Sequence, residues 1–461
     1  MPEFMRHCPV IAVVAAIAVI AGCALYSDVS ISPLLLSPGS IDRGSDLQSM
    51  VRKSDYVRAV EMAAMVEAKP RHNANELLAL GSAEMAAGRF DAARRHLRAV
   101  LDLEPFRTTY SDAAWTLSQL EYLRNNFEAS LDWAHVAADH GLSVRNWHLD
   151  FLESLKNVDG YHFRGPAVER VPLRIGRPDV PRIEVTINRT KNVIAIVDSG
   201  AVMSIMSQRF ASSVPVRKLG NFEGTFSGLL GEPIQVQFGL IESLQLGKMT
   251  IENVPVAIMP DDKMKFIVTG KHEFTIDFLL GAHLLKEMRI ELDFRHNQAA
   301  FTHLTTADRT PAPDQNMFWD QFRPAVRGVI NRKGWFTFIL DTGSEVTFLN
   351  AAQMTSLPIQ LFTKVHNATL QGLGGAKKRG DKVENVEIGI DRWAGTFRTI
   401  PMYDPGATEH ERASGIIGEN YLKNFIVTID FGRMRLDLTP VVRIPMGEID
   451  ATDTASGQVP R

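Results

Sequence analysis

A four-residue motif that occurs twice constrains this chain more than any other feature of its sequence. Asp198-Ser199-Gly200-Ala201 and Asp341-Thr342-Gly343-Ser344 each follow an apolar run with the pattern of a buried strand. The two aspartates are 143 positions apart, and so are the upstream turn residues Asn188 and Asn331. A chance match to such a motif is expected on the order of 0.04 times in a chain of this size, given average residue usage. The sequence therefore predicts a β-rich domain that occurs twice in the chain.

A second shared motif lies downstream of each aspartate. Leu279-Leu280-Gly281 in the first copy is matched by Ile416-Ile417-Gly418, and the match continues without a gap to Phe294 and Phe431, all 137 positions apart. The second copy is thus six residues shorter between its aspartate and this motif. We expect one copy at residues 165–304 and the other at residues 321–445, separated by a proline-containing linker at residues 305–320.

These motifs and their spacing resemble the lobes of aspartic proteases, and the lobe size is nearer to the retropepsin-like branch than to pepsin. The resemblance implies two pseudo-symmetric β-barrel lobes that face each other, with Asp198 and Asp341 as the catalytic pair. It also implies that Ser199 and Thr342 send their hydroxyls across to the opposite loop. Leu280, Gly281, Ile417 and Gly418 would support the two loops from behind. Two glycine-rich segments about 30 residues after the aspartates would form flaps over a substrate: Gly228, Leu229, Leu230 and Gly231 in the first copy, and Gly372, Leu373, Gly374 and Gly375 in the second.

The chemistry of such a site needs both copies. Two carboxyls close to one water share a single proton, so that one takes a proton from the water and the other donates one to the substrate carbonyl. Gly200 and Gly343 would let the two loops approach each other closely. Because Ser344 has a hydroxyl where Ala201 has none, we expect Ser344 to donate to Asp341 and to make it the more readily ionised partner. No cofactor is expected, and the histidines show no spacing typical of a metal site.

Residues 45–160 have a helical pattern that repeats. The segment at residues 80–105 resembles one tetratricopeptide repeat, and Tyr56 precedes Phe90 by 34 residues, which is the repeat length of that family. Phe127 continues the pattern after 37 residues, so the third copy carries a short insertion. Helices of this kind either form a docking surface for a peptide or partner protein, or only space the next domain from a membrane, and the sequence leaves both possibilities open.

The first 22 residues have the pattern of a secretory signal peptide. The apolar run at residues 10–20 is too short to cross a bilayer as a helix, which needs about 20 residues. Residues 20–23, Ile-Ala-Gly-Cys, resemble the bacterial lipobox, which implies cleavage before Cys23 and lipidation of its thiol. Ala24 then implies the outer membrane, with the protein facing the periplasm, residues 23–44 as a linker and residues 446–461 as a disordered tail. A plain signal peptide or a short membrane anchor is the alternative.

Composition excludes several other classes of protein. A net charge of -3 argues against a nucleic-acid partner, and 45% hydrophobic residues are enough for folded domains with cores. Both cysteines, Cys8 and Cys23, lie near the start, so the mature chain would have no thiol left for a disulfide or for catalysis. We therefore expect an aspartic endopeptidase of the cell envelope. A non-catalytic peptide-binding adaptor with the same cleft is the alternative function, and pairing of each lobe with its equivalent in a second chain is an alternative assembly.

Overall fold

The computed structural model describes residues 19–20, 29–34, 46–53, 55–103, 108–176, 179–227, 233–268, 272–356, 363–371, 377–403 and 413–441. It consists of an N-terminal helical region followed by β-rich, barrel-like lobes, as the sequence predicts. Two short strands precede the helices: β1 (Val19–Ile20) and β2 (Ser30–Pro33). Among the described residues, no helix is long and apolar enough to cross a membrane.

Seven helices follow these strands in the described part of the chain, and together they are called the helical layer below. They are α1 (Leu47–Arg52), α2 (Tyr56–Glu67), α3 (Ala74–Ala86), α4 (Phe90–Leu103), α5 (Thr108–Leu123), α6 (Phe127–Asp139) and α7 (Asn146–Leu155).

The sequence signals of the helical layer have direct structural counterparts. Helices α2, α4 and α6 begin at the aromatic residues of the predicted repeat: Tyr56, Phe90 and Phe127. Gly88 follows α3 with a φ of +74°, the left-handed conformation that a glycine after a helix commonly adopts. A Cβ on Gly81 would lie 2.6 Å from the Leu97 side chain, so this glycine allows α3 and α4 to pack closely. Whether these hairpins are tetratricopeptide repeats stays a prediction.

The first lobe follows the helical layer and is called lobe 1. Its strands are β3 (His162–Arg164), β4 (Val168–Pro172), β5 (Arg182–Ile187), β6 (Lys191–Asp198), β7 (Ser204–Ser207), β8 (Arg217–Lys218), β9 (Gly224–Ser227), β10 (Pro233–Leu246), β11 (Met249–Met259), β12 (Lys265–Val268), β13 (His272–Thr275), β14 (Phe278–Gly281), β15 (Met288–Asp293) and β16 (Gln298–His303). Its short helices are α8 (Gln208–Ala211) and α9 (Ala282–Leu285), and 3₁₀ turns occur at Asp261–Lys263 and, after the last strand, at Thr306–Asp308.

The second lobe, lobe 2, repeats the core of this order of elements. Its strands are β17 (Met317–Asp320), β18 (Arg323–Ile330), β19 (Lys333–Leu340), β20 (Phe348–Asn350), β21 (Thr363–Gln371), β22 (Lys377–Ile390), β23 (Trp393–Tyr403), β24 (Gly415–Ile417), β25 (Phe425–Asp430) and β26 (Arg435–Pro440). It also contains α10 (Glu419–Leu422) and a 3₁₀ turn at Gln353–Ser356.

The predicted duplication is confirmed by matching local contacts. Asn188 and Asn331 both have a φ of +48° and both accept a backbone hydrogen bond through Oδ1 at 2.8 Å, from Ser243 and Glu387 respectively. Each Asn thereby closes the same turn between two strands of its lobe. Asn188 and Asn331 therefore have the same structural role in the two lobes.

One five-stranded sheet joins the two lobes, in the order β26-β25-β15-β16-β4. At its centre β15 and β25 are antiparallel, with Glu291 opposite Thr428. These two residues are 137 positions apart, the offset that relates the two lobes after their second motif. A residue that pairs with its own equivalent marks a two-fold axis, so the pseudo-symmetry axis of the lobes passes through this pair.

The helical layer packs on both lobes. Phe151 of α7 lies 4.5 Å, centroid to centroid, from Phe238 of β10, inside a buried cluster that combines residues of α5–α7 with lobe 1. On the other side, Tyr56 donates to Asp320 of lobe 2 at 3.2 Å, and Gln315 donates to the Ala87 carbonyl at 3.3 Å. The helices therefore share a core with the lobe that follows them, and both the docking surface and the spacer stay predictions.

Two predicted linkers contain strands. Residues 30–33, within the expected linker 23–44, pair with Trp393–Thr396 at the edge of lobe 2. Residues 317–320, at the end of the expected linker 305–320, pair with Arg323–Val326. Both segments are only four residues long, too short for an alternating pattern to mark them as strands. Val19–Ile20 pair with Leu370–Gln371, while the rest of the predicted signal peptide, including Cys23, and the tail 446–461 lie outside the described residues.

We predict that Phe151→Ala destabilises lobe 1 as well as the helices. Phe151 is only 4% exposed, and removal of a buried Phe side chain costs about 3–5 kcal/mol. Denaturant unfolding should show this loss, and hydrogen exchange should become faster in β10. Met65→Ala is the control, because Met65 is 54% exposed and should change stability by no more than about 0.5 kcal/mol. Unchanged exchange in β10 would contradict a shared core.

Candidate active site

The two aspartates lie at the ends of equivalent strands at the interface of the lobes. Asp198 is the last residue of β6, and Asp341 directly follows β19. In each lobe the strand that carries the apolar-apolar-Gly motif runs parallel to the aspartate strand, with Gly281 beside Asp198 and Ile417 beside Leu340. Both aspartates are fully buried. Two segments that are far apart in sequence thus bring one carboxyl each to a common point.

The glycine after each aspartate lies against the other lobe's carboxyl. A Cβ on Gly200 would lie 2.3 Å from Cγ of Asp341, and a Cβ on Gly343 would lie 2.4 Å from Cγ of Asp198. No side chain of any size fits at such distances. The two glycines are therefore required by the close approach of the loops, and this contact places Asp198 and Asp341 next to each other within one chain.

The residues between aspartate and glycine tie the two loops together. The Ser199 hydroxyl donates to the Leu340 carbonyl at 2.7 Å and accepts from the Thr342 N–H at 3.1 Å. Reciprocally, the Thr342 hydroxyl donates to the Val197 carbonyl at 2.6 Å and accepts from the Ser199 N–H at 3.1 Å. All four bonds are buried, so loss of either hydroxyl leaves unpaired backbone groups, each costing about 1–3 kcal/mol.

The second motif holds each loop from behind. A Cβ on Gly281 would lie 2.2 Å from the Met203 backbone, and one on Gly418 would lie 2.6 Å from the Val346 backbone. The N–H of Gly281 donates to the Ser204 hydroxyl at 3.2 Å, and that of Gly418 to the Thr347 hydroxyl at 3.0 Å. Leu280 and Ile417 are buried in the core behind the loops.

Sequence reasoning missed three residues of this environment. Ser204 and Thr347 are each six positions after their aspartate, so the duplication itself was a signal that could have found them. Arg323 gave no such signal. It is fully buried at the start of β18, and its positive charge lowers the pKa of Asp341.

Burial and mutual repulsion keep protons on the pair. Burial raises the pKa of Asp198 to about 7, although the N–H groups of Ala201 and Gly200 lower it. Burial and the neighbouring charge of Asp198 hold the pKa of Asp341 well above its usual range. The two groups therefore titrate as a pair.

The expectation that Ser344 makes Asp341 the more acidic partner is wrong. The Ser344 hydroxyl donates to the Val346 carbonyl at 2.9 Å instead of to the aspartate. Oδ1 of Asp341 accepts one backbone N–H, that of Gly343 at 2.9 Å, whereas Oδ1 of Asp198 accepts from both Gly200 and Ala201, at 3.0 and 2.9 Å. Ala201, which has no hydroxyl, thus stabilises the Asp198 carboxylate through its backbone N–H, whereas the Ser344 hydroxyl does not bind Asp341.

The remaining predicted groups are only partly visible. Both glycine-rich flap segments, residues 228–231 and 372–375, lie outside the described residues, but the strands on either side of each are antiparallel partners. Oδ2 of Asp198 and Oδ2 of Asp341 are buried and have no hydrogen-bond partner among the described residues. Within the described ranges, no cluster of three or more His, Cys, Asp or Glu side chains is arranged to hold a metal. The arrangement is suited to proton transfer between two carboxyls and a molecule placed at their free oxygens.

Solved structures similar to the chain include the following three. They are an aspartic proteinase from Irpex lacteus (11% identity, 59% of this chain and 97% of that chain covered, TM-score 0.36), a retropepsin-like aspartic protease from Rickettsia conorii (14%, 31% and 95%, 0.20) and Basic 7S globulin from soybean (10%, 59% and 96%, 0.35).

We predict that Asp341→Asn is more stable than the wild type at pH 8 and that this difference shrinks toward pH 4. The pKa of Asp341 is raised in the folded state, so its stabilising contribution is full below the unfolded pKa and is lost as the pH rises. The loss amounts to up to about 1.4 kcal/mol per pH unit while the folded chain holds the extra proton. Thermal unfolding across this pH range measures it.

Asp91→Asn serves as a control of opposite sign. The hydrogen bond from Arg124 lowers the pKa of Asp91, so its small contribution is present above the unfolded pKa and lost as the pH falls. This variant should therefore be slightly less stable than the wild type at pH 8. If Asp341→Asn showed the same sign as Asp91→Asn, the buried pair could not hold the protons described above.

Both lobes match known family models. Residues 183–287 match the family described as "gag-polyprotein putative aspartyl protease". Residues 320–430 match the family described as "Retroviral aspartyl protease". No curated protein matches the chain significantly. Each lobe of the chain therefore contains a segment that matches a family model of retropepsin-type aspartic protease domains.

Proposed function

We propose that this protein is an aspartic endopeptidase whose single site is the Asp198/Asp341 pair. The observation that carries the proposal is the reciprocal contact of each carboxyl with the opposite glycine, so close that a Cβ on Gly200 or Gly343 would overlap the carboxyl carbon of the other lobe's aspartate. Such a contact brings two carboxyls together on one axis, which is what a shared-proton mechanism needs. The matches of both lobes to aspartic protease families support the same conclusion.

In the proposed mechanism the two aspartates have different roles at the start of the reaction. Asp198, which accepts two backbone N–H bonds, is the carboxylate that takes a proton from the attacking water. Asp341, whose pKa is held well above its usual range by burial and by the charge of Asp198, donates its proton to the scissile carbonyl. The water oxygen bonds to the carbonyl carbon and forms a tetrahedral gem-diol. In its collapse Asp198 gives the proton it took from the water to the leaving nitrogen, Asp341 regains a proton from a gem-diol hydroxyl, and the C–N bond breaks.

The proposal extends to the place of action. Lipidation of Cys23 would anchor the chain to a bacterial envelope membrane, facing the periplasm, and its substrates would then be envelope peptides or proteins. The helical layer offers an additional surface on which a protein substrate or a regulator would bind. The lipobox-like sequence at residues 20–23 supports the anchor, and the repeat pattern of residues 45–160 supports the docking role.

We predict that Asp198→Asn and Asp341→Asn each lower kcat/KM on a peptide library by about 10²–10⁴-fold, as expected for loss of a general acid or base. In the wild type, kcat/KM should rise with pH up to about 7, because Asp198 must be ionised, and fall when Asp341 also loses its proton. Cleavage is measured by mass spectrometry of the peptide products across this pH range.

Asp430→Asn is the matched control for this experiment. Asp430 is also a buried aspartate that accepts two backbone N–H bonds, from Gly432 and Arg433, but it lies in the sheet between the lobes. It should retain wild-type cleavage. Activity that survives in either dyad variant would contradict a shared site, and no cleavage by wild type at any pH would favour the peptide-binding adaptor.

We predict that the mature chain begins at Cys23 and carries lipid. Mass spectrometry of the N-terminal peptide after bacterial expression should show the added acyl mass, and Cys23→Ser should abolish both the mass and the membrane fractionation. Cys8→Ser is the control, because Cys8 precedes the expected cleavage site. An unmodified N-terminus at another residue would contradict lipidation without affecting the proposed catalysis.

A further inference from the structure

The loop after Asp341 is held by a helix of its own lobe. The N–H groups of Glu419 and Asn420 donate to the carbonyls of Ser344 and Glu345 at 2.8 and 3.1 Å. The side chain of Asn420 also accepts from the Thr347 N–H at 2.8 Å. The short helix α10 thereby fixes the catalytic loop of lobe 2 through three hydrogen bonds within that lobe.

The loop after Asp198 repeats the two backbone bonds but not the third. Ala282 and His283 of α9 donate to the carbonyls of Ala201 and Val202 at 2.6 and 2.9 Å. His283 is the equivalent of Asn420, 137 positions earlier, yet its side chain binds the helical layer. Its Nε2 lies 3.0 Å from the Tyr122 carbonyl of α5, and its Nδ1 lies 2.7 Å from the hydroxyl of Tyr161, in the segment after α7.

The chemistry of these partners assigns the protons of His283. A carbonyl oxygen only accepts, so Nε2 carries the proton and donates to Tyr122, while Nδ1 accepts from the Tyr161 hydroxyl. Burial lowers the pKa of His283 to about 3, so the ring is neutral and has one donor and one acceptor, as this environment requires. The ring also stacks on the Tyr122 ring with a centroid distance of 4.3 Å. His283 is thus held in one tautomer and one orientation.

A second set of contacts fixes α9 to the same part of the helical layer. Asn125, just after α5, donates to Glu287 at 2.8 Å and accepts from Lys286 at 2.9 Å. Lys286 and Arg309 both pair with Glu287, so the buried charges are compensated. These groups, together with Tyr122 and Tyr161, are the titratable and charged neighbours of His283 on the elements packed against it.

The path from His283 to the dyad is short. His283 and Ala282 hold the carbonyls of Val202 and Ala201, and the Ala201 N–H donates to Asp198 at 2.9 Å. Because of that N–H, the side chain of Asp198 accepts two backbone hydrogen bonds, whereas that of Asp341 accepts one. A shift of α9 would therefore first weaken the bond that distinguishes the two aspartates.

We propose that His283 is a positioning residue through which the helical layer holds Asp198 in its catalytic orientation. This inference rests on the proposed endopeptidase function and deepens it. It assigns the helices a part in forming the site. In lobe 2 the catalytic loop is held by Asn420 of the same lobe, whereas in lobe 1 the equivalent residue, His283, is held by α5; this support of the lobe 1 loop is called the brace below. His283 itself touches neither the carboxyls nor a substrate.

The test compares His283→Phe with His148→Phe. Both histidines are buried, and the His148 ring contacts the rings of Trp115 and Trp147 in the helical layer, so it controls for loss of a buried imidazole. His283→Phe keeps an aromatic ring on Tyr122 but removes both side-chain hydrogen bonds. We expect kcat to fall about 10²-fold, as for a misplaced catalytic group, with little change in KM. The acid limb of the pH–rate profile should move to higher pH, because Asp198 loses stabilisation by Ala201.

Two milder variants keep the test valid if His283→Phe does not fold. Tyr161→Phe removes only the bond to Nδ1 and should change kcat in the same direction by less. His283→Gln retains one donor and one acceptor and should keep more activity than His283→Phe. His148→Phe should leave kcat and the acid limb as in the wild type. A folded His283→Phe variant with wild-type kcat and acid limb would overturn the proposal.

Hydrogen exchange separates this proposal from the endopeptidase function. In His283→Phe the amides of residues 198–203 should exchange faster than in the wild type, while those of residues 341–346 stay protected. This result would support the brace even if the wild type cleaved no peptide, in which case only the proposed function would fail. Unchanged protection of residues 198–203 would overturn the brace regardless of activity.

Discussion

The reciprocal exchange of hydrogen bonds between Ser199 and Thr342 is the constraint on which the rest of the structure depends. Each hydroxyl reaches a backbone carbonyl of the opposite loop, at 2.7 and 2.6 Å, so neither loop is satisfied without the other. The same approach leaves no room for a side chain at Gly200 or Gly343 and places each carboxyl beside the opposite loop. The orientation of the lobes follows from this contact, and the pairing of Glu291 with Thr428 lies on the same pseudo-two-fold axis.

Burying two carboxyls at this contact is unfavourable, and the surrounding architecture offsets the cost. Neutral aspartates are favoured inside, because a carboxylate removed from water loses its solvation. The five-stranded sheet between the lobes and the core shared with the helical layer supply apolar burial on both sides of the site. The helices are therefore packed into the same body as lobe 1 and are not detached from it.

Much of the fold and of the candidate site could be predicted because the duplication repeats residues that serve the same local purpose. Asn188 and Asn331 close identical turns, and Gly281 and Gly418 meet equivalent backbone segments, so each pair was recognisable from its spacing. The strands at residues 30–33 and 317–320 could not be predicted in this way, because each depends on a partner strand and not on its own pattern. The side-chain direction of Ser344 was predicted wrongly, since a hydroxyl can rotate to any nearby acceptor and here it donates to the Val346 carbonyl.

The amino-acid sequence by itself determined that two equivalent lobes exist, which residues stand at their contact and where the helical region ends. Those features depend on residue type and spacing, which are properties of the chain alone. Only the tertiary structure decided which aspartate is better stabilised as a carboxylate and which element supports its loop. Both depend on where backbone N–H and carbonyl groups point after folding: the Ala201 N–H toward Asp198, and the Tyr122 carbonyl toward His283. Almost every residue carries such groups, so no sequence pattern distinguishes them, and only the folded chain decides which of them point at a partner.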